Sequence, residues 1–205
     1  MNPTQKTIDY YDANAAEFLA KTADVEFGAF QKKFADMLPR GGRILDLGCG
    51  SGRDSLAFLQ EGFQVDAMDG SAAMVEAASK TTGLPVVHAM FDDFQSQGEY
   101  DGIWACSSLL HVEKDELPDL IAKYAEPLKP GGVFYLSFKL GDHEGLRNGR
   151  WFTDLSEGSA RAILDGIDGL GIVEMAISGD VRPGRQDEKW LNVWCVKRSP
   201  ERDAG

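Results

Sequence analysis

The stretch Arg43-Ile44-Leu45-Asp46-Leu47-Gly48-Cys49-Gly50-Ser51-Gly52-Arg53-Asp54 decides the fold. A short apolar run ends in an acid, three glycines follow at alternate positions, and a helix-like segment begins. This is the pattern of a loop that leaves the first strand of a parallel sheet to receive a nucleotide. Glycines there let backbone N–H groups approach a ligand with no Cβ in the way. A dinucleotide fingerprint, G-x-G-x-x-G, requires glycine at 53 after Gly48 and Gly50. Position 53 is Arg53, and the third glycine is Gly52. The loop therefore reads D-x-G-x-G-x-G.

Outward from this loop, strand and helix patterns alternate. Strands are expected at 43–47, 63–68, 85–90, 100–106, 133–139, 171–178 and 189–197. Helices are expected at 53–61, 72–80, 114–127 and 156–165, with Ser71 as the N-cap of the second. Before the loop, Ile8, Tyr11, Ala15, Phe18 and Leu19 form one stripe of a helix over 4–20. Phe27, Phe30, Phe34, Met37 and Leu38 form another over 26–38, which Pro39-Arg40-Gly41-Gly42 stops. Short connections between alternating β and α elements imply a parallel sheet with helices on both faces. Ligands of such sheets bind beyond the carboxyl ends of the strands, at the switch point beside strand one.

The 205 residues suit one domain with a real core, and a hydrophobic content of 43% excludes a disordered chain. No apolar run approaches the roughly 20 residues of a membrane span, and residues 1–6 carry no signal-peptide core. Cys49, Cys106 and Cys195 are three and far apart, which argues for a reducing cytoplasm and against a zinc site. A net charge of −12 disfavours a nucleic-acid partner. A monomer is the default.

Residues that carry chemistry should follow the strand ends. Asp69 lies nineteen residues after Gly50, where an acid accepts ribose hydroxyls; the plainer reading is an acid at a helix N-terminus. Met90-Phe91-Asp92-Asp93-Phe94 follows strand three, and Asp92-Asp93 there also fits a helix-capping turn. Ala105-Cys106-Ser107-Ser108-Leu109-Leu110-His111 follows strand four. Cys106 reads as a small buried hydrophobe. His111 is either a base facing the ligand or a structural histidine.

The loop resembles motif I of the class I S-adenosylmethionine (SAM)-dependent methyltransferases. Residues 43–139 resemble the core of that family, including Leu128-Lys129-Pro130-Gly131-Gly132 before strand five. Gly48-Cys49-Gly50-Ser51-Gly52-Arg53-Asp54-Ser55 is also similar to small bacterial methyltransferases of the tellurite-resistance type. The resemblance implies a Rossmann-like three-layer α/β sandwich, with a seven-stranded, mostly parallel sheet whose last strand is antiparallel. One domain is expected over 1–205: a helical lid (1–40), a SAM-binding core (41–140), a substrate-side part (141–198) and a flexible tail (199–205).

It further implies that SAM is the cofactor and S-adenosylhomocysteine the product. Motif I would hold it with Asp46, Gly48, Cys49, Gly50, Gly52, Arg53 and Asp54. The segment after strand two would add Asp69, Gly70, Ser71 and Met74. Phe91 and Asp92 would face the adenine. The family's customary acid falls on Met90, so either Asp92 substitutes or backbone alone holds the ring. Ala105, Cys106 and Ser107 correspond to motif IV, at the methionine end. Tyr10-Tyr11-Asp12-Ala13-Asn14-Ala15-Ala16-Glu17-Phe18 resembles the lid helix that precedes many such cores; Tyr11 is the better match for the tyrosine that closes over the cofactor, and Tyr10 the fallback. His111 and Tyr10 are the candidate bases.

Family specificity lies outside the core, where this acidic chain turns basic. Lys139, Arg150, Arg182 and Arg185, with Trp190 or Trp151 as a wall, predict a small acceptor bearing an anionic group. The alternative is that these arginines pair with local acids such as Asp142, Glu144, Asp187 and Glu188. Three other functions compete: an NAD-dependent oxidoreductase, which Arg53 opposes, a catalytically silent SAM-binding module, and a methyltransferase acting on tRNA or protein.

Overall fold

The computed structural model of the chain describes residues 3–22, 28–96, 99–181, 184, 185 and 187–199. Helix α1 (Pro3–Thr22) is kinked at Asn14, and α2 (Gly28–Asp36) follows. Strand β1 (Arg43–Leu47) leads through the glycine loop into α3 (Arg53–Gln60). Then come β2 (Gln64–Asp69), α4 (Ala72–Thr82), β3 (Val87–His88) and β4 (Tyr100–Ala105). Helix α5 (Leu117–Ala125) precedes β5 (Leu128–Lys139). The carboxyl-terminal part holds β6 (Glu144–Arg147), β7 (Arg150–Thr153), α6 (Glu157–Leu164), β8 (Leu170–Gly179) and β9 (Lys189–Lys197).

Seven strands form one sheet in the order β3-β2-β1-β4-β5-β9-β8. The pairs from β3 to β5 are parallel, and β9 runs antiparallel to both neighbours. This is the expected Rossmann-like sandwich. Alternation along the strands sorts the core onto two faces. Leu45, Leu47, Ile103, Phe134 and Leu136 meet Leu120 and Tyr124 of α5 and Ala160 and Leu164 of α6. On the opposite face Ile44, Trp104, Tyr135 and Trp194 meet Phe34 of α2 and Phe58 of α3. Trp104 and Tyr135 stack there with centroids 4.0 Å apart.

The departures from the sequence reading have local causes. Helix 114–127 contracts to a 3-10 turn at Lys114–Glu116 followed by α5, because Pro118 is suited to a helix's first turn. Strand three shrinks to two residues at the sheet edge, after Pro85, which has no N–H to give. Strand five starts five residues early, where Leu128 pairs with Tyr100 across a bulge. The β6–β7 hairpin was not expected. Arg147 pairs with Arg150 around Asn148 (φ 52°) and Gly149 (φ 81°), and an Asn-Gly pair is a strong short-range hairpin signal. Phe27, Arg182 and residues 200–205 lie outside the described residues. Among the described residues no helix is long and apolar enough to cross a membrane.

Candidate active site

A cavity of about 700 Å³ opens at the carboxyl ends of β1, β2, β4 and β5, roofed by α1 and walled by the β6–β7 hairpin. Its floor is the glycine loop. Gly48 (φ 76°) and Gly52 (φ 77°) are glycines for different reasons of crowding. A Cβ at 48 would stand 2.5 Å from Cβ of Ser108, and one at 52 would stand 2.9 Å from Cα of Ala78 on α4. Gly50 (φ 54°) instead presents a bare backbone to the cavity, the nearest atom to its missing Cβ being on Phe18 at 4.0 Å. Gly52 does not line the cavity; it is a packing glycine.

Asp69 closes the floor. Its Oδ2 accepts the N–H of Gly50 and its Oδ1 that of Ser71, each at 2.9 Å. Burial raises its pKa, against the pull of these backbone bonds. Ser71 caps α4 by accepting from Met74 N and donates to Asp12 of the lid at 2.6 Å. It is therefore a bracket between lid and floor and does not line the cavity, whereas Gly70 and Met74 do. Asp46 lines the cavity and accepts from Ser55 Oγ at 2.5 Å; burial and then the nearby Asp54 raise its pKa. Asp54 also reaches the wall, but its oxygens take hydrogen bonds from Arg53, Gln31 and Trp104 at 2.6–2.8 Å. Both Arg53 and Asp54 thus anchor the loop.

At the adjoining end, Met90 and Phe91 line the cavity, whereas Asp92 is exposed and off the wall. The carbonyls of Phe91 and Asp92 are held by Lys123 and that of Phe91 also by Tyr124, so this turn faces α5. The substitution of Asp92 for the missing adenine acid therefore has no geometric basis. Past β4, Cys106 and Ser107 line the cavity while Ala105 is buried in the sheet. Ser107 takes a positive φ of 56°, its N–H donating to Ser137 Oγ. Burial raises the thiol pKa of Cys49 and of Cys106, so neither is a thiolate nucleophile.

The lid and His111 form one chain of hydrogen bonds. Nδ1 of His111 lies 2.6 Å from the Trp151 carbonyl, which can only accept, so Nδ1 carries the proton. Nε2 is then the acceptor, and the Tyr11 hydroxyl donates to it at 2.9 Å. Arg150 Nη1 donates to the same tyrosine oxygen at 3.1 Å. Burial pulls the pKa of His111 down to about 4, leaving a neutral imidazole at pH 7. Burial also raises that of Tyr11. Tyr10 does not line the cavity; its ring lies under the Arg150 guanidinium at 4.8 Å and against Gly149. The tyrosine joined to His111 is Tyr11, not Tyr10.

At the far end, two of the four expected cations are already matched. Lys139 pairs with Asp180 at 3.0 Å and with Glu188, and lies 4.1 Å over the Trp190 ring. Arg185 pairs with Glu188 at 3.4 Å. Pairing with local acids holds for both, with Asp180 a partner that sequence reading missed. Trp190 does line the cavity, whereas Trp151 does not. The hairpin and the residue after it also bring Arg147, Asn148, Phe152 and Asp154 to the cavity, of which Asp154 had no place in the sequence reading. Among the described residues Arg150 has no acidic partner; Tyr10, Tyr11 and Phe152 surround its guanidinium at 4.8–5.5 Å. Its buried Nε has no partner, nor do Ser108 Oγ, Asp154 Oδ1 and Trp194 Nε1. An unmet buried polar group costs about 1–3 kcal/mol, so such groups ask for an explanation. No cluster of three or more His, Cys, Asp or Glu suited to a metal occurs among the described residues.

Comparison with known proteins places this geometry. Residues 44–132 match the family model of the methyltransferase domain. The ubiquinone biosynthesis O-methyltransferase of Xanthomonas axonopodis pv. citri is 34% identical over 113 residues, covering 50% of this chain and 45% of that protein. The chain thus spans about half the length of the curated relatives it matches. Magnesium protoporphyrin IX methyltransferase from Synechocystis, solved with bound SAM, superposes with a TM-score of 0.74 at 18% identity over 97% of this chain and 98% of its own. The [4+2]-cyclase SpnF superposes at 0.76 and 16% identity, over 96% and 97%. At such identities these likenesses establish the fold, and a shared fold does not fix a reaction. Over residues 44–132 this chain thus matches the family model of the methyltransferase domain, and the sheet that carries the match has the fold of a methyltransferase solved with bound SAM.

Proposed function

We propose that the cavity binds SAM and that the chain transfers its methyl group to a small acceptor bearing an anionic group. The observation that carries this reading is the joined floor of glycine loop and acid. Asp69, with one backbone N–H on each oxygen, keeps lone pairs for the two hydroxyls of a ribose. Gly50 leaves room for the rest of a nucleoside. The fit extends to charge: Asp46 and Asp69 line the floor, and a cationic ligand would draw these acids, whose pKa values burial raises, back to their ionised forms. SAM supplies an electrophilic methyl carried on a sulfonium. Gly48, Cys49 and Gly50 would hold its backbone-facing side, Met90 and Phe91 the base, and Cys106, Ser107 and Ser108 the amino-acid end.

The chain's own residues then position and dry the site. Tyr11 and Phe18 of the lid cover it, which excludes water and aligns the acceptor. The Tyr11 oxygen can accept a proton from an acceptor hydroxyl while its own proton passes to Nε2 of His111. A base with a pKa near 4 takes that proton only as the new bond forms. An acceptor that is already ionised needs no such transfer. With a net charge of −12, a polynucleotide acceptor is disfavoured.

The test is transfer of labelled methyl from SAM into a fractionated cell extract. Label in the small-molecule fraction supports the reading. Label confined to RNA or protein overturns the small acceptor. Saturable SAM binding with no label anywhere overturns the catalytic role.

A further inference from the structure

We propose that the β6–β7 hairpin and the residue after it read the methyl acceptor at two points: the Arg150 guanidinium donates to an anionic oxygen, and the Asp154 carboxylate accepts from a hydroxyl or N–H of the same molecule. The inference rests on the methyltransferase reading of the cavity. It starts from the orphaned groups. Of the four buried side-chain atoms without a partner among the described residues, Ser108 Oγ, Arg150 Nε and Asp154 Oδ1 belong to residues lining this one cavity. Trp194 belongs to the aromatic layer between the sheet and α2. Ser108 adjoins the glycine loop, on the cofactor side. Of the other two, Arg150 opens β7 and Asp154 directly follows its last residue.

Strand periodicity explains why they act as a pair. Successive residues of β7 point to opposite faces. Arg150, Phe152 and Asp154 line the cavity, while Trp151 turns away, its N–H held by Thr7 of the lid at 2.9 Å. The two polar anchors therefore flank one aromatic ring. Asp154 is only 7% exposed, and Arg147 occupies its Oδ2 at 2.6 Å, leaving its carboxylate half-paired. Arg150 differs from Lys139, Arg147 and Arg185 in having no acid to neutralise it among the described residues. A guanidinium set among aromatic rings without a counter-ion is a receptor for carboxylate or a similar anion. The acceptor class is thus a small acid with an apolar body and a hydroxyl or amino group apart from the acid.

The probes are the three positional isomers of hydroxybenzoate, with benzoate and phenol as parents. Each is titrated calorimetrically into the protein loaded with S-adenosylhomocysteine. At least one isomer is expected to bind tenfold or more tightly than both parents. Asp154→Asn should reduce that isomer's advantage over benzoate to about threefold or less, and Arg150→Gln should do the same for its advantage over phenol. Uptake of S-adenosylhomocysteine serves as the control for folding of each variant. Equal affinities for all five probes, or an advantage that survives both substitutions, would overturn the hairpin proposal alone. Failure of the wild-type protein to take up S-adenosylhomocysteine would overturn the cofactor reading beneath it.

Discussion

The two ends of the cavity are built from different material. The floor around Gly48, Gly50 and Asp69 is made of backbone: positive-φ glycines, N–H groups and one acid that two of those N–H groups hold. The wall around the β6–β7 hairpin is made of long side chains, Arg147, Arg150 and Lys139, whose partners come from the lid, from the residues after β7 and from the segment before β9. Backbone geometry leaves a regular trace in sequence. Side-chain partnerships are made by the fold. The proposed cofactor would rest on the backbone floor, and the proposed acceptor against the side-chain wall.

The largest expected effect strikes the floor. Gly48→Ala combines a left-handed φ with a Cβ 2.5 Å from Ser108, and should cost about 3–4 kcal/mol of stability. Gly50→Ala meets nothing closer than 4.0 Å and should cost only about 1 kcal/mol from its φ. Denaturant melts of the two variants measure the gap; equal losses would mean that the floor is not shaped by packing at Gly48.

The joint between floor and wall is His111, and it should show in acid. Its folded pKa of about 4 lies below the unfolded value of 6.5. Between these values the unfolded chain binds the proton that the folded chain refuses, so stability falls as pH drops from 6.5 towards 4. The full loss is about 3 kcal/mol. Asp46 and Asp69, with raised pKa values, act in the opposite sense. The informative quantity is therefore the difference between wild type and His111→Gln. Melts across this window should show the wild type losing stability more steeply; parallel curves would mean that His111 is not held neutral.

The smallest effect is the sharpest check on the floor. Asp92→Ala should leave SAM affinity within about twofold of wild type, since its side chain is exposed and off the wall. A tenfold loss would mean that Asp92 holds the adenine after all.

Much of the floor was legible in the sequence for the reasons this comparison gives. Strand β1 and strand β9 lie where their apolar runs predict, Ser71 caps α4, and Asp69 lies beside Gly50. The wall was less legible. Asp180 and Glu188 stand 41 and 49 residues from Lys139, and only the fold brings them to it. Tyr10 and Tyr11 are adjacent on a helix, where one step turns a side chain by about 100°, so sequence alone did not settle which of them faces the cavity. The hairpin did announce itself, through Asn148-Gly149, and with it Arg150 and Asp154 could have been placed on one face.

The most direct test of the account is calorimetric titration of SAM and NADH into the wild-type protein and Asp69→Ala. The account predicts micromolar SAM binding, weakened about 100-fold in the variant by loss of the ribose contacts, and no binding of NADH. Binding of NADH, or SAM affinity indifferent to the loss of Asp69, would contradict it.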